Sequence, residues 1–295
     1  MTLRSIRRLA VAAALGLAVG LPAAGPASAL QILLTERTSG QTFSTFSRGT
    51  AGPEAPGATG GGTLGAVMAA AAAFWEDVIL DPGTLSLEFG WQALSGSTLA
   101  VATQLGSRDY SGAGKGGLIR VDNDRGWFLD PTPTDASEFG PLIESIVDLG
   151  GGPMTVGREY AAASGPAAGV FDLFGTVLHE IGHLLGLADF GDTAFDAGEL
   201  DIAVGPYAGA VVDLTEVGGG HLDMADALMK PTTPAGLRRM PTDADVAAIQ
   251  QLSGFVSVDY SLSAAAATAP VPLPAGWALM IGAAGALGLA RRRAA

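Results

Sequence analysis

The 295-residue chain predicts an α+β domain. Three observations carry that expectation. Apolar residues at helical spacing begin at Leu64, strict period-two alternation follows over 85–91, and two further helical stretches come later, one ending at Gly186 and one starting after Thr242. Helices and short strands that arrive in blocks, without a regular strand–helix repeat, favour α+β over α/β. The length suits one domain of moderate size, residues 30–262, once both ends are set aside.

Each end reads as an address. Residues 1–29 have the form of a secretory signal peptide: Arg4, Arg7 and Arg8 precede an apolar run from Leu9 to Val19, and Ala27-Ser28-Ala29 supplies the small-x-small cleavage pattern. Signal peptidase is then a partner, and the mature chain is expected to begin near Leu30. Residues 263–295 read as a linker and a second address. Val271-Pro272-Leu273-Pro274-Ala275 leads into an apolar run from Gly276 to Ala290, closed by Arg291-Arg292-Arg293. As a helix that run spans roughly 22 Å, short of a hydrocarbon core of ~30 Å unless flanking residues complete it. A plain tail anchor with its arginines held inside is one reading. The tail also resembles the PEP-CTERM sorting signals of bacteria, in the form whose motif is VPLPA. That resemblance implies an exosortase-type sorting enzyme as partner, transient membrane association through the tail, and delivery to the cell surface or beyond.

Both addresses are basic and neither contains an acid. Without their six arginines, 10 basic residues face 29 acidic ones, a net charge of −19. Such a balance excludes nucleic acid as a partner. It suits an exported protein in salty surroundings, or one that binds Ca²⁺. The chain has no cysteine, which excludes disulfides, thiolate metal ligands and any cysteine-based latch over a metal.

Taken in order, residues 48–63 are rich in Gly, Pro and Ala and look like a flexible stretch. Leu64, Val67, Met68, Ala71, Phe74, Trp75, Val78 and Ile79 then recur at helical spacing behind Thr63 as N-cap, and Asp81-Pro82-Gly83 stops the helix. Leu85, Leu87, Phe89 and Trp91 alternate with Ser86 and Glu88, the pattern of a half-buried strand. Short strands are expected around 98–104 and 117–121, and an ordered loop over 127–139. A helix from Phe171 to Leu185 would bury Phe174, Val177, Leu178, Ile181, Leu184 and Leu185, leaving Thr176, His179, Glu180 and His183 on the other face. A last helix follows Thr242, with Asp245 as capping-box partner and Val246, Ile249 and Leu252 facing inward before Gly254.

The densest chemistry lies in His179-Glu180-Ile181-Gly182-His183, which holds two of the three histidines. One helical turn apart, His179 and His183 present both imidazoles on one face and can reach the same Zn²⁺. Glu180 stands beside them, placed to take a proton from a water at the ion. A solvent-facing histidine pair is the bland alternative. It leaves Glu180 without a role.

Catalytic zinc takes three protein ligands and keeps one position open. Asp189 is one candidate for the third place, because H-E-x-x-H-x-x-G-x-x-D is a variant of the metzincin pattern, with Gly186 turning the chain back. His221 is the other, being the remaining histidine. An imidazole is the better partner beside two others, and the glycines at 218–220 would let the backbone pass close to the metal. Asp189 opens an acidic stretch with Asp192, Asp196, Glu199 and Asp201, which is either solvated or a Ca²⁺ ligand set. Glu199 would be the ligand in a different zinc clan, although its surroundings do not read as a ligand-bearing helix.

His221 stands eight residues before Met229 in Ala227-Leu228-Met229-Lys230-Pro231. This resembles matrixins, a branch of the metzincin metallopeptidases, whose third histidine precedes an Ala-Leu-Met-x-Pro turn by the same distance. In matrixins that histidine follows the helix-ending glycine by three residues, whereas here 34 residues from Leu187 to Gly220 intervene. A long insertion at this place is similar to the leishmanolysin group. The resemblance covers roughly 64–255, with its motifs concentrated in 171–231, and Lys230 after the methionine departs from it. It implies a metzincin-like catalytic domain, with a twisted mixed sheet, an active-site helix, a Met-turn at Met229 flooring the metal, and a C-terminal helix. It also implies a zinc-dependent endopeptidase acting on proteins or peptides. The alternative is a surface or extracellular-matrix protein that keeps zinc for stability alone, since sorted surface proteins are often structural.

Overall fold

The computed structural model describes residues 29–44, 48–105, 115–189, 193–215 and 219–261. Its elements in chain order are β1 (Leu30–Glu36), α1 (Leu64–Val78), β2 (Gly83–Gln92), β3 (Ala100–Leu105), β4 (Lys115–Asp122), β5 (Trp127–Phe128), β6 (Ile143–Asp148), β7 (Pro153–Ala161), β8 (Phe171–Asp172), α2 (Leu173–Leu184), α3 (Thr193–Ala197), β9 (Glu199–Asp201), β10 (Val211–Asp213), β11 (Leu237–Arg239) and α4 (Asp243–Ser253). This is an α+β arrangement. The two addresses, 1–29 and 263–295, lie outside the described residues except for Ala29, and no helix among the described residues is long and apolar enough to cross a membrane.

The main sheet has the order β1-β2-β4-β3, parallel throughout except for β3, which runs antiparallel to β4 along one edge. α1 starts where Thr63 caps the Ala66 N–H, and it buries Leu64, Val67, Met68, Ala71, Ala72, Trp75 and Val78. Trp75 Nε1 donates to the Leu178 carbonyl at 3.0 Å, fastening α1 to α2 and satisfying an indole that has no access to water.

The expected alternation of β2 is present, but the strand is buried on more than one face. Leu85, Leu87, Phe89 and Trp91 enter the main core, while Glu88 and Gly90 are covered as well. Residues 37–44 and 48–52 lie over that second face. Phe43 and Ala51 close a small core on Leu118, and Glu88 accepts from the Ser44 N–H at 3.0 Å and from Arg37. Residues 48–63 likewise differ from the flexible stretch expected of them. Thr59 N–H donates to Trp127 O, Leu129 N–H to Thr59 O and Gly62 N–H to Leu129 O, at 2.8–2.9 Å. The glycines are there for close approach: a Cβ at Gly62 would meet Asp130 O at 2.5 Å, and one at Gly60 would meet Leu129 O at 2.4 Å.

The ordered stretch 127–139 contains the two-residue β5, paired with β8. It closes around Arg238, whose guanidinium donates to Asp172 at 2.8 and 3.0 Å, to Asp130 at 2.6 Å and to the Asp135 carbonyl at 2.8 Å, with the Phe139 ring 4.5 Å away. Asp172 is also the N-cap of α2, accepting from Gly175 N–H at 2.7 Å. This buried ion cluster therefore fixes where the histidine-bearing helix begins. A second sheet, β11-β7-β6, completes the fold.

A candidate metal centre

α2 is laid down as its apolar stripe dictates. Phe174, Val177, Leu178, Ile181, Leu184 and Leu185 are buried, and Thr176, His179, Glu180 and His183 line a cleft of about 730 Å³. Gly186, at φ 117°, ends the helix in a conformation that disfavours other residues. The chain then leaves through 187–220, which includes α3 and the β9–β10 hairpin, before returning with His221.

His179, His183 and His221 form a group whose ligating nitrogens all lie within 4.8 Å of one another. Their ring centroids are 4.7, 4.8 and 5.2 Å apart. Such a triad can hold a metal ion. Its first two members are oriented by backbone carbonyls, His179 Nδ1 lying 2.8 Å from Leu228 O and His183 Nδ1 2.7 Å from Leu187 O. With Nδ1–H donating to a carbonyl, Nε2 is left with its lone pair toward the shared centre. Removal from water lowers the pKa of both rings, and the neighbouring imidazoles depress His179 further, so the neutral ligating form is favoured. A donor set of three neutral imidazoles suits a metal ion.

Asp189 is exposed and outside the group. Asp196, Glu199 and Asp201 are exposed too, no acidic cluster converges among the described residues, and Asp192 lies outside them. What brings His221 in is a close backbone approach. Gly220 has φ 95°, and a Cβ there would meet Ala188 Cα and Leu187 O at 2.5 Å. No other residue type fits between the returning chain and the end of α2 without displacing one of them.

Met229 is fully buried beneath α2, where a Cβ on Gly182 would meet its Sδ at 2.5 Å. Gly182, between the two histidines, thus makes room for the methionine. Asp245 holds this turn from below, accepting from Leu228 N–H at 3.0 Å, Met229 N–H at 2.9 Å, Thr242 N–H at 2.8 Å and Thr242 Oγ1 at 2.7 Å. The same carboxylate caps α4. Sequence reasoning found the cap through the Thr242–Asp245 spacing but had no signal for the second role.

Glu180 is 6% exposed. Burial pushes its carboxyl up to about 7, opposed by the N–H of Ala102, which donates to it from β3. Edge strand β3 and its approach also border the cleft, through Ser97 to Ala102 and Gln104, as does 230–233 just after Met229. Neither Ala102 nor Lys230 was foreseen as part of the site.

No family model, curated protein or solved structure matches the chain.

Proposed function

We propose that the protein is an exported zinc-dependent endopeptidase with a metzincin-like catalytic domain. The observation that carries this is a three-imidazole group beside a buried carboxylate in one open cleft. His179, His183 and His221 would hold the ion. When bound, zinc supplies Lewis acidity toward the scissile carbonyl and acidifies a water. Glu180, oriented by the Ala102 N–H, takes the proton of the attacking water. The water oxygen bonds to the carbonyl carbon, the C–N bond breaks, and Glu180 returns the proton to the departing amine. Among the described residues β3 is a sheet edge, so its outward backbone groups other than the Ala102 N–H can pair with an extended peptide.

A purely structural zinc site needs closed four-ligand coordination and has no use for a carboxylate at an open position. Among the described residues the group stops at three ligands, which favours the enzyme over a zinc-stabilised surface or matrix protein. Zymography on several denatured substrates, with and without a chelator, decides between them. Glu180→Gln should keep its metal and lose activity by about 10²-fold or more. Chelator-insensitive proteolysis, or full activity in that variant, would overturn the reading.

The addresses support export from a bacterial cell, with the tail removed at the surface by an exosortase-type enzyme. Mass spectrometry of the mature protein should show it beginning near Leu30 and lacking residues after about Pro270. An intact Arg291–Ala295 end would instead make the tail a plain anchor.

A further inference from the structure

Among the described residues the cleft lining contains one acidic side chain, Glu180, and one fully basic one, Lys230. Glu180 has its place in the chemistry proposed above. Lys230 has none, and among the described residues its ammonium makes no ion pair or hydrogen bond. That is unusual in this domain. Arg37, Arg125, Arg158, Arg238 and Arg239 all reach carboxylates, as expected where acids outnumber bases by 29 to 10.

The backbone that carries Lys230 is braced on both sides. Its N–H donates to Ala227 O at 3.3 Å, and the preceding Met229 N–H is held by Asp245. Arg239 donates to Thr232 O at 2.6 Å and to Ala225 O at 3.3 Å, tying the segment after the turn to the segment before it. The side chain is half-buried and borders the cavity that holds the imidazoles. An ammonium carried on a braced backbone at the border of a partly dehydrated cleft can receive an anion, and charge-assisted hydrogen bonds there are stronger than their counterparts in open water.

We infer that Lys230 selects substrates carrying a carboxylate close to the scissile bond. The inference rests on the peptidase reading. The carboxylate is either an Asp or Glu side chain or the end of the substrate chain. The surrounding charge of −19 works against acidic substrates at long range, but it is screened within about 8 Å at physiological salt, whereas a contact pair persists.

The test uses the zinc-loaded exported protein in 0.15 M salt, a condition of the assay set by that screening length. Fluorogenic peptides carry Glu, Gln or Lys beside the cleaved bond, and a short pair differs in a free or amidated terminus. The wild type should prefer Glu over Gln by roughly tenfold in kcat/KM, and disfavour Lys. Lys230→Gln should erase the preference and Lys230→Glu invert it, with metal content preserved in both. A preference for the free over the amidated terminus, lost in Lys230→Gln, would assign the carboxylate to the substrate end. Cleavage with the same ranking in all three proteins would overturn the inference while leaving the peptidase reading intact. If nothing is cleaved, the peptidase reading falls, and calorimetry with the Glu and Gln peptides still decides for Lys230: equal affinities would reject it.

Discussion

Two imidazoles of the triad stand on one helix turn, and the third arrives at the end of a long excursion. These halves of the centre are held by different physics. His179 and His183 take their spacing from the helix itself, whose start is fixed by Asp172 and Arg238 and whose underside is fixed by Met229 and Asp245. His221 has no helix to stand on. Its approach is pinned by a bridge between Leu214 and Leu222, by Thr215 N–H on its own carbonyl at 3.1 Å, and by Gly220 pressed onto Leu187 and Ala188. The excursion is anchored at a distance, where Tyr207 donates to Asp243 at 2.6 Å and Ala203 N–H to Gln251 Oε1 at 2.9 Å. The halves meet at Leu187, whose carbonyl receives His183 and abuts Gly220. A helix tolerates many substitutions and keeps its spacing, whereas a loop contact depends on single atoms. The loop-borne half should therefore be the easier to break.

The largest effect is expected at Gly220→Ala. The new methyl needs a left-handed backbone and collides with backbone on the far side, costing about 2–5 kcal/mol. His221 would move away, and metal affinity should fall with it, as isothermal titration with Zn²⁺ would show. Unchanged affinity would mean that the close approach is dispensable.

A smaller effect is expected on the helix-borne half from Asp245→Asn. One amide oxygen cannot replace a carboxylate that receives four hydrogen bonds, so about 1–3 kcal/mol should be lost in chemical denaturation. Metal affinity should drop only modestly, because His179 and His183 keep their helical spacing. A loss as severe as that of Gly220→Ala would put the Met229 turn, rather than the helix, in control of those ligands.

The sequence shows these halves unequally, for the same reason. Helical periodicity located α1, α2 and α4, and Thr63, Thr242–Asp245, Gly186 and Gly254 marked their ends, because those signals are local. β2, β3 and β4 fell near their expected spans. β1, β6, β7 and β11 were not anticipated. β6 is exposed or half-exposed at every position, so it has no buried face to imprint alternation. Burial of Glu88 and the seating of residues 48–63 depend on chain that arrives from elsewhere. The Arg238 cluster joins positions 130, 172 and 238, which no spacing rule connects. At the site, the helix supplied His179, Glu180 and His183 directly, while His221 and Asp189 stood as alternatives because a 34-residue excursion erases spacing information. Ala102 enters only through the sheet edge that lies along α2.

The central claim is that three imidazoles, one of them loop-borne, hold the metal. Metal stoichiometry of the purified wild type, His221→Ala and Asp189→Ala proteins tests it most directly. Stoichiometry should collapse in His221→Ala, as it would on removing His179 or His183, and stay near the wild-type level in Asp189→Ala. Retained metal in His221→Ala together with its loss in Asp189→Ala would contradict the account and place the third ligand at the shorter spacing.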